Sequence, residues 1–244
     1  MLMTGKELLL DAQKNRYAVG AFNVNNMEII QAIINAAEEL ESPVILQASQ
    51  GGLKYAGVEY IAALGKLAGR KANVPVALHL DHGTDFEQVM QCIRHGFTSV
   101  MIDGSRFPLE ENIAFTKRVV EIAHSVGVTV EAELGKIGGT EDHITVSEKD
   151  ATFTDPEEAR IFVEETGVDY LAIAVGTAHG VYKGEPKLDY DRIKAIREVV
   201  DIPLVLHGSS GVPSESLQKA ISLGICKINI DTDIRASFAQ AVKE

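Results

Sequence analysis

The stretch Val76-Ala77-Leu78-His79-Leu80-Asp81-His82-Gly83 decides the fold. It is a short apolar run that follows Pro75 and ends in a carboxylate, an imidazole and a glycine. Such runs are typical of strands buried on both faces of a parallel sheet. Asp81 and His82 therefore lie at the C-terminal end of a predicted strand, which is the edge where parallel α/β proteins place their functional residues.

Runs of the same kind recur eight times along the 244 residues, and amphipathic segments of helical period separate them. A strand and a helix repeated eight times, without consecutive hairpins, predict one α/β domain over residues 1–244, a closed (β/α)8 TIM barrel. An open doubly wound sheet is the alternative, but no glycine-rich nucleotide fingerprint follows the first strand. The predicted strands are Val19–Val24, Pro43–Ser49, Val74–His82, Ser99–Gly104, Thr129–Gly135, Tyr170–Gly176, Pro203–Gly208 and Cys226–Asp231.

Composition limits the compartment and the partners. Hydrophobic residues make up 45% of the chain, and no stretch approaches the roughly 20 apolar residues of a membrane span. Lys6 and Glu7 interrupt the apolar start before it could serve as a signal-peptide core, while Cys92 and Cys226 are too few for a disulfide framework. A cytoplasmic protein without a membrane partner is predicted. The net charge of −12 argues against a nucleic-acid partner.

Polar side chains cluster where the predicted strands end. Random placement would scatter them over both rims of a barrel, whereas an active site gathers them on one rim. This rim is therefore the candidate site. Its residues are Asn23, Ser49, Asp81, His82, Asp103, Glu133, His207, Asn229 and Asp231, with His179 just past the sixth strand.

Three histidines occupy corresponding places: His82 follows the third strand, His179 the sixth and His207 the seventh. Three imidazoles that converge from different strands form the ligand set of a catalytic Zn²⁺, with a fourth position open to substrate or water. Any one of them alone would more often be a hydrogen-bonded core or surface residue. Glu133, near the rim of the fifth strand, could approach the metal as an additional ligand.

The carboxylates around these histidines suggest different tasks. Asp81 could move a proton on a substrate oxygen beside the metal, or it could orient a zinc-bound imidazole. Asp103, on the neighbouring strand, fits the orienting role better. Glu131 and Lys227 face inward on their strands and predict a buried ion pair. Lys227 could instead form a Schiff base with a ketone, but its place well below the rim argues against that chemistry.

Loops after the fifth, seventh and eighth strands carry further candidates. About 20 residues follow the fifth strand, and a loop of this length is typical of a lid that closes over an active site. Glu141 could enter the site when such a lid closes. The alternative is a surface loop without function. Segments 208–211 and 229–232 stand where barrels bind phosphate through backbone N–H groups, although each would also serve as a tight turn. Arg235 lies one helical turn past Asp231, where an i,i+4 ion pair is the simpler interpretation.

Together these stretches resemble the class II, zinc-dependent fructose-bisphosphate and tagatose-bisphosphate aldolases. The resemblance runs through nearly the whole chain in the family's order. It rests on Ala21-Phe22-Asn23, Leu80-Asp81-His82-Gly83, Val130 to Gly135 with Gly138-Gly139, Gly176 to Gly180, Leu206 to Gly211, and Lys227 to Asp231.

The resemblance implies the reversible aldol cleavage of fructose 1,6-bisphosphate, a step of glycolysis, with Zn²⁺ on His82, His179 and His207. It makes Asp81 the acid/base at the breaking carbon-carbon bond, and it assigns proton exchange on the enediolate carbon to Glu141. It also implies that a homodimer or homotetramer forms, because in related enzymes an arginine at the place of Arg235 reaches the second phosphate across a dimer interface. The dihydroxyacetone phosphate half, with a monovalent cation (Na⁺ or K⁺) nearby, would contact Gly180, Gly208, Ser210, Asn229 and Thr232, and the aldehyde half Asn23, Ser49 and Asp231.

Two other functions stay open. A tagatose 1,6-bisphosphate aldolase is one, although the segment from Asn229 to Arg235 resembles the fructose branch. A non-catalytic barrel that binds sugar phosphates is the other, and the acid/base pair of Asp81 and Glu141 argues against it. Family members continue for several helical turns beyond the place of Glu244, which predicts that the sequence is a fragment truncated at its last helix.

Overall fold

Eight parallel strands close into a barrel in the computed structural model, which describes residues 1–141, 144–147, 151–182 and 184–244, without the side chains of residues 141 and 144. The strands are β1 (Val19–Asn23), β2 (Val44–Ser49), β3 (Val76–Gly83), β4 (Ser99–Ile102), β5 (Thr129–Leu134), β6 (Gly138–Glu141), β7 (Ile144–Val146), β8 (Tyr170–Ile173), β9 (Ala178–His179), β10 (Leu204–Leu206) and β11 (Ile225–Ile230). The barrel order is β1-β11-β10-β8-β5-β4-β3-β2. The predicted TIM barrel is confirmed, because each of the eight predicted runs forms a barrel strand.

Most helices pack around the barrel, and none of those described is long and apolar enough to cross a membrane. Thr4 and Glu7 form the capping box that starts the first helix, whose Leu8, Leu9 and Ala12 pack into the apolar lower half of the barrel interior. The helices are α1 (Gly5–Asn15), α2 (Met27–Glu39), α3 (Gln50–Ala56), α4 (Val58–Lys71), α5 (Phe86–Arg94), α6 (Leu109–Ser125), α7 (Pro156–Thr166), α8 (Tyr190–Val199), α9 (Ser214–Ser222) and α10 (Thr232–Lys243).

Helix α3 was not predicted from the sequence. Its glycines lower helix propensity, so the pattern after Ser49 indicates only a loop. The hydroxyl of Ser49 accepts a hydrogen bond from the Gly52 amide at 3.2 Å and caps the helix. Ser49, one of the predicted substrate contacts, therefore already has a local structural role.

The described part of the segment after β5 contains strands where the sequence predicted only a loop. Strand β6 pairs antiparallel with β7 and parallel with β9, which gives a three-stranded sheet above the barrel. Glycines weaken the strand pattern at Gly138 and Gly139, and the partner β9 is distant in sequence, so local pattern could not reveal this sheet. The pairing joins β6 to the segment that carries His179.

Candidate metal centre and active site

His82 reaches the barrel mouth through an irregularity in β3. Strand alternation that points Asp81 inward would point its neighbour outward. However, the β3–β4 register shifts between Leu80 and Gly83, and His82 adopts a left-handed conformation with φ of 48°. A bulge of this kind re-aims a side chain, so both members of the Asp-His pair can serve one site.

The three predicted histidines lie together at the mouth. The ring of His82 is 4.6 Å from that of His207 and 5.0 Å from that of His179, measured between centroids, and the latter two rings are 6.0 Å apart. One nitrogen of each lies within 4.8 Å of the other two. Nitrogens bound to a tetrahedral zinc ion stand about 3.3 Å apart. The cluster therefore has nearly the spacing that a zinc ion requires.

The outer nitrogens of two of these rings contact carboxylates. The Nδ1 of His82 lies 3.0 Å from Asp103, and the Nε2 of His207 lies 2.7 Å from Glu131. If each outer nitrogen donates its proton to its carboxylate, the inner nitrogens are left with bare lone pairs, which face each other at 2.8 Å. Facing lone pairs repel unless a cation lies between them. The residues thus fit a divalent ion, and orienting carboxylates are the usual partners of metal-binding histidines.

The pKa shifts of Asp103 and His207 support this arrangement. Burial would raise the pKa of Asp103, but contacts with His82 and Ser105 outweigh burial and lower it to about 2. Burial also lowers the pKa of His207, against an opposing contribution from Glu131, which favours the neutral, ligating imidazole. Glu133 stands close by, with its Oε2 3.6 Å from the Nδ1 of His207, where the sequence placed an additional ligand.

Asp103→Asn is expected to weaken metal binding by about 10- to 100-fold, because a neutral amide orients His82 less strongly than a carboxylate does. Competition between the purified protein and a chromogenic chelator at neutral pH measures the affinity. Asp191→Asn, on the exposed surface of α8, makes the same chemical change away from the site. Equal affinities in the two variants would contradict the orienting role of Asp103.

Asp81 is buried at the centre of an amide network. Its Oδ2 accepts hydrogen bonds from Asn23 at 2.9 Å and from Gln47 at 3.1 Å, and its Oδ1 accepts one from Asn229 at 3.2 Å. Neutral donors fix the orientation of the carboxylate without neutralising it. Gln47 was missed by the sequence analysis, although its parity with Ser49 on β2 and its polar character inside an apolar run were available signals.

Below the metal centre lies the predicted ion pair. The Nζ of Lys227 is 2.7 Å from the Oε2 of Glu131, and both side chains are fully buried. Burial would raise the pKa of Glu131, but Lys227 and the contacts with His207 and His79 hold it well below its usual value. Glu131 of this pair thus contacts His207 from below, and the lysine is engaged well away from the rim.

A cavity of about 370 Å³ opens beside the histidines at the rim. Most of the predicted substrate contacts line it, which brings both phosphate-loop candidates to one place. Ser49 is not among the lining residues in the described part of the chain. The predicted residues that line the cavity are Asn23, Gly180, Gly208, Ser210, Asn229, Asp231, Thr232 and Arg235.

Arg235 and Glu141 differ from the other predicted residues in what the structure shows of them. Arg235 donates a hydrogen bond from its Nε to Asp231 at 2.7 Å, so the simpler i,i+4 ion pair is present at the cavity wall. The backbone of Glu141 ends strand β6, but its side chain lies outside the described part of the structure, so its catalytic role stays a prediction.

A closed barrel whose rim combines three convergent imidazoles with a buried carboxylate defines a metal-dependent barrel enzyme. The chain belongs to the class II fructose-bisphosphate aldolase family, whose model matches residues 3–244. Membership in this family of lyases implies a divalent metal, which the histidine cluster fits.

Individual relatives agree with this assignment. A fructose-bisphosphate aldolase from Thermus caldophilus is 53% identical over 267 residues, covering 100% of this chain and 87% of that protein. Among solved structures, the YdjI aldolase from Escherichia coli K12 matches with a TM-score of 0.90 and 41% identity, over 100% of this chain and 86% of that chain. The fructose-bisphosphate aldolase Fba from Campylobacter jejuni matches with a TM-score of 0.81 and 29% identity, over 99% of this chain and 80% of that chain.

Proposed function

We propose that this chain cleaves fructose 1,6-bisphosphate reversibly to dihydroxyacetone phosphate and glyceraldehyde 3-phosphate. The observation that carries the proposal is the convergence of His82, His179 and His207 near the buried carboxylate of Asp81, in a chain of this family. The three histidines would hold Zn²⁺. When bound, the ion supplies Lewis-acid polarisation of the substrate ketone.

The residues of the chain itself perform the proton transfers. As the bond between C3 and C4 breaks, Asp81 accepts the proton of the C4 hydroxyl, so that C4 becomes the aldehyde carbon and the electron pair of the bond remains with C3. The amides of Asn23, Gln47 and Asn229 hold the Asp81 carboxylate in place during this step. Glu141, or a water that it positions, then returns a proton to C3.

The rim cavity would bind the two halves of the substrate. The backbone of Gly180 and Gly208 and the side chains of Ser210, Asn229 and Thr232 would contact dihydroxyacetone phosphate and a Na⁺ or K⁺ ion. Asn23 and Asp231 would contact the aldehyde half, and so would Ser49 at the end of β2, although it does not line the cavity. In a homodimer or homotetramer, Arg235 would break its hydrogen bond with Asp231 and contact the second phosphate of the substrate bound to the neighbouring subunit. Two buried free cysteines suit the reducing cytoplasm that we propose as the compartment.

Removal of the metal is expected to lower cleavage by at least about 100-fold, because the polarising charge would be lost. Metal analysis of the purified protein, with cleavage assays on fructose and tagatose 1,6-bisphosphate before and after chelation, tests this directly. Added Zn²⁺ should restore cleavage, and borohydride should trap no covalent adduct between the protein and the substrate.

Each other outcome of this assay contradicts part of the proposal. Faster cleavage of the tagatose epimer would overturn the substrate assignment. Chelator-resistant cleavage would overturn the metal mechanism, and absence of cleavage with both sugars in the zinc-loaded protein would favour the binding barrel.

A further inference from the structure

His179 differs from the other two histidines in how its backbone is held. His82 belongs to barrel strand β3, and His207 directly follows barrel strand β10. His179 lies on the two-residue strand β9, outside the barrel sheet, between Gly176 with φ of 103° and Gly180 with φ of 88°. Glycines with positive φ give a segment large conformational freedom before it folds. The third histidine therefore needs support from outside its own strand.

Glycines let two neighbouring backbones approach this segment closely. Gly139 of β6 pairs with His179, and a side chain at Gly139 would overlap the His179 carbonyl. On the other side, a Cβ at Gly208 would lie 2.6 Å from the Ala178 carbonyl oxygen. The segment is thus packed between β6 and the loop that follows His207.

The side chain of Tyr182 connects the His179 segment to the loop that follows His207. The Tyr182 hydroxyl accepts a hydrogen bond from the Ala178 amide at 2.7 Å and donates one to the Gly208 carbonyl at 2.8 Å. These two backbone groups belong to the residue just before His179 and the residue just after His207. Burial raises the pKa of Tyr182, so the hydroxyl keeps the proton that it donates.

We infer that Tyr182 is a positioning residue that sets the spacing between His179 and His207, so that both can bind the same metal ion. The inference rests on the proposed metal site and deepens it. The tyrosine ring packs against the core between barrel and helices, which fixes where the hydroxyl stands. The hydroxyl connects Gly208, which follows barrel strand β10, to Ala178 in the glycine-flanked segment. The barrel thereby restricts the movement of His179.

Loss of the hydroxyl can be separated from loss of the ring. Tyr182→Phe keeps the aromatic packing and removes only the bridge. Tyr17→Phe is the matched control, because its hydroxyl donates to Asp11 at 2.8 Å, outside the candidate site. Both variants should fold, with melting temperatures in chelator close to that of the parent.

Two measurements without substrate test the inference. Competition with a chelator measures the affinity for Zn²⁺ alone, and hydrogen exchange measures protection of the Ala178 amide. Tyr182→Phe should weaken Zn²⁺ binding by about 10- to 100-fold, the size of effect that follows when an interaction that orients a metal ligand is removed. Exchange at Ala178 should become faster, while Tyr17→Phe should leave both values unchanged.

Parent-like Zn²⁺ affinity and Ala178 protection in Tyr182→Phe would overturn the inference. The same holds if Zn²⁺ affinity falls only in proportion to a lower melting temperature, because that result indicates general destabilisation. Neither measurement depends on turnover. A parent protein that binds Zn²⁺ but cleaves no bisphosphate would refute the proposed function and leave this comparison intact.

Discussion

Asp81→Ala is expected to lower the turnover number for cleavage by about 100- to 10,000-fold while the protein keeps its metal. The proton of the C4 hydroxyl then has no acceptor when the carbon-carbon bond breaks. Metal content should not change, because the proposed ligands are His82, His179 and His207 and not Asp81. Steady-state cleavage rates and zinc stoichiometry of the same preparations measure the two effects.

A second assay isolates the step in which Asp81 acts. In the proposed mechanism, Glu141 and the metal also exchange a hydrogen of dihydroxyacetone phosphate, at the carbon that was C3 of the hexose, with deuterated water. This exchange involves no C4 hydroxyl. The Asp81→Ala variant should therefore retain this exchange far better than it retains cleavage. Equal losses in both reactions would contradict the assignment and would favour the alternative in which Asp81 orients a metal-bound imidazole. Unchanged cleavage would remove Asp81 from the chemistry altogether.

The barrel could be predicted from the sequence because its determinants are local. Each barrel strand is a short apolar run, and parallel strands must end on a common rim. Polar residues that close these runs, such as Asn23, Asp81 and His207, are therefore predicted to lie on one face. The structure brings them together as that argument requires.

Features that depend on non-local geometry could not be predicted. The sequence places both Asp81 and His82 at the rim, but it does not reveal the register shift beside β4 that turns His82 towards the site. The pairing of β6 with β9 joins segments about 40 residues apart, beyond the reach of any sequence window. The hydroxyl of Tyr182 likewise joins Ala178 to Gly208, which lie about 30 residues apart, so no local sequence pattern indicates this bridge.

Lys227→Met is expected to lower the free energy of unfolding by about 3–5 kcal/mol, because it leaves the Glu131 carboxylate buried without its cation. Lys227 holds the pKa of Glu131 well below its usual value. A carboxyl with a depressed folded-state pKa contributes stability above its unfolded pKa and loses it as pH falls through the folded value. In the variant Glu131 can bind a proton more readily, so the deficit should be largest at neutral pH and shrink towards mildly acidic pH.

Denaturant unfolding in the presence of a chelator, at neutral and mildly acidic pH, measures this deficit without a contribution from metal. Lys194→Met is the matched control, since Lys194 forms an exposed pair with Glu198 at 4.0 Å and should contribute less than about 1 kcal/mol. The double variant Lys227→Met with Glu131→Gln removes both charges and should recover much of the loss, because a neutral buried amide costs less than an unpaired carboxylate. If Lys227→Met were no worse than Lys194→Met, the buried pair would contribute little to stability. If the double variant were as unstable as the single one, packing of the lysine stem, and not the unpaired charge of Glu131, would be the cause.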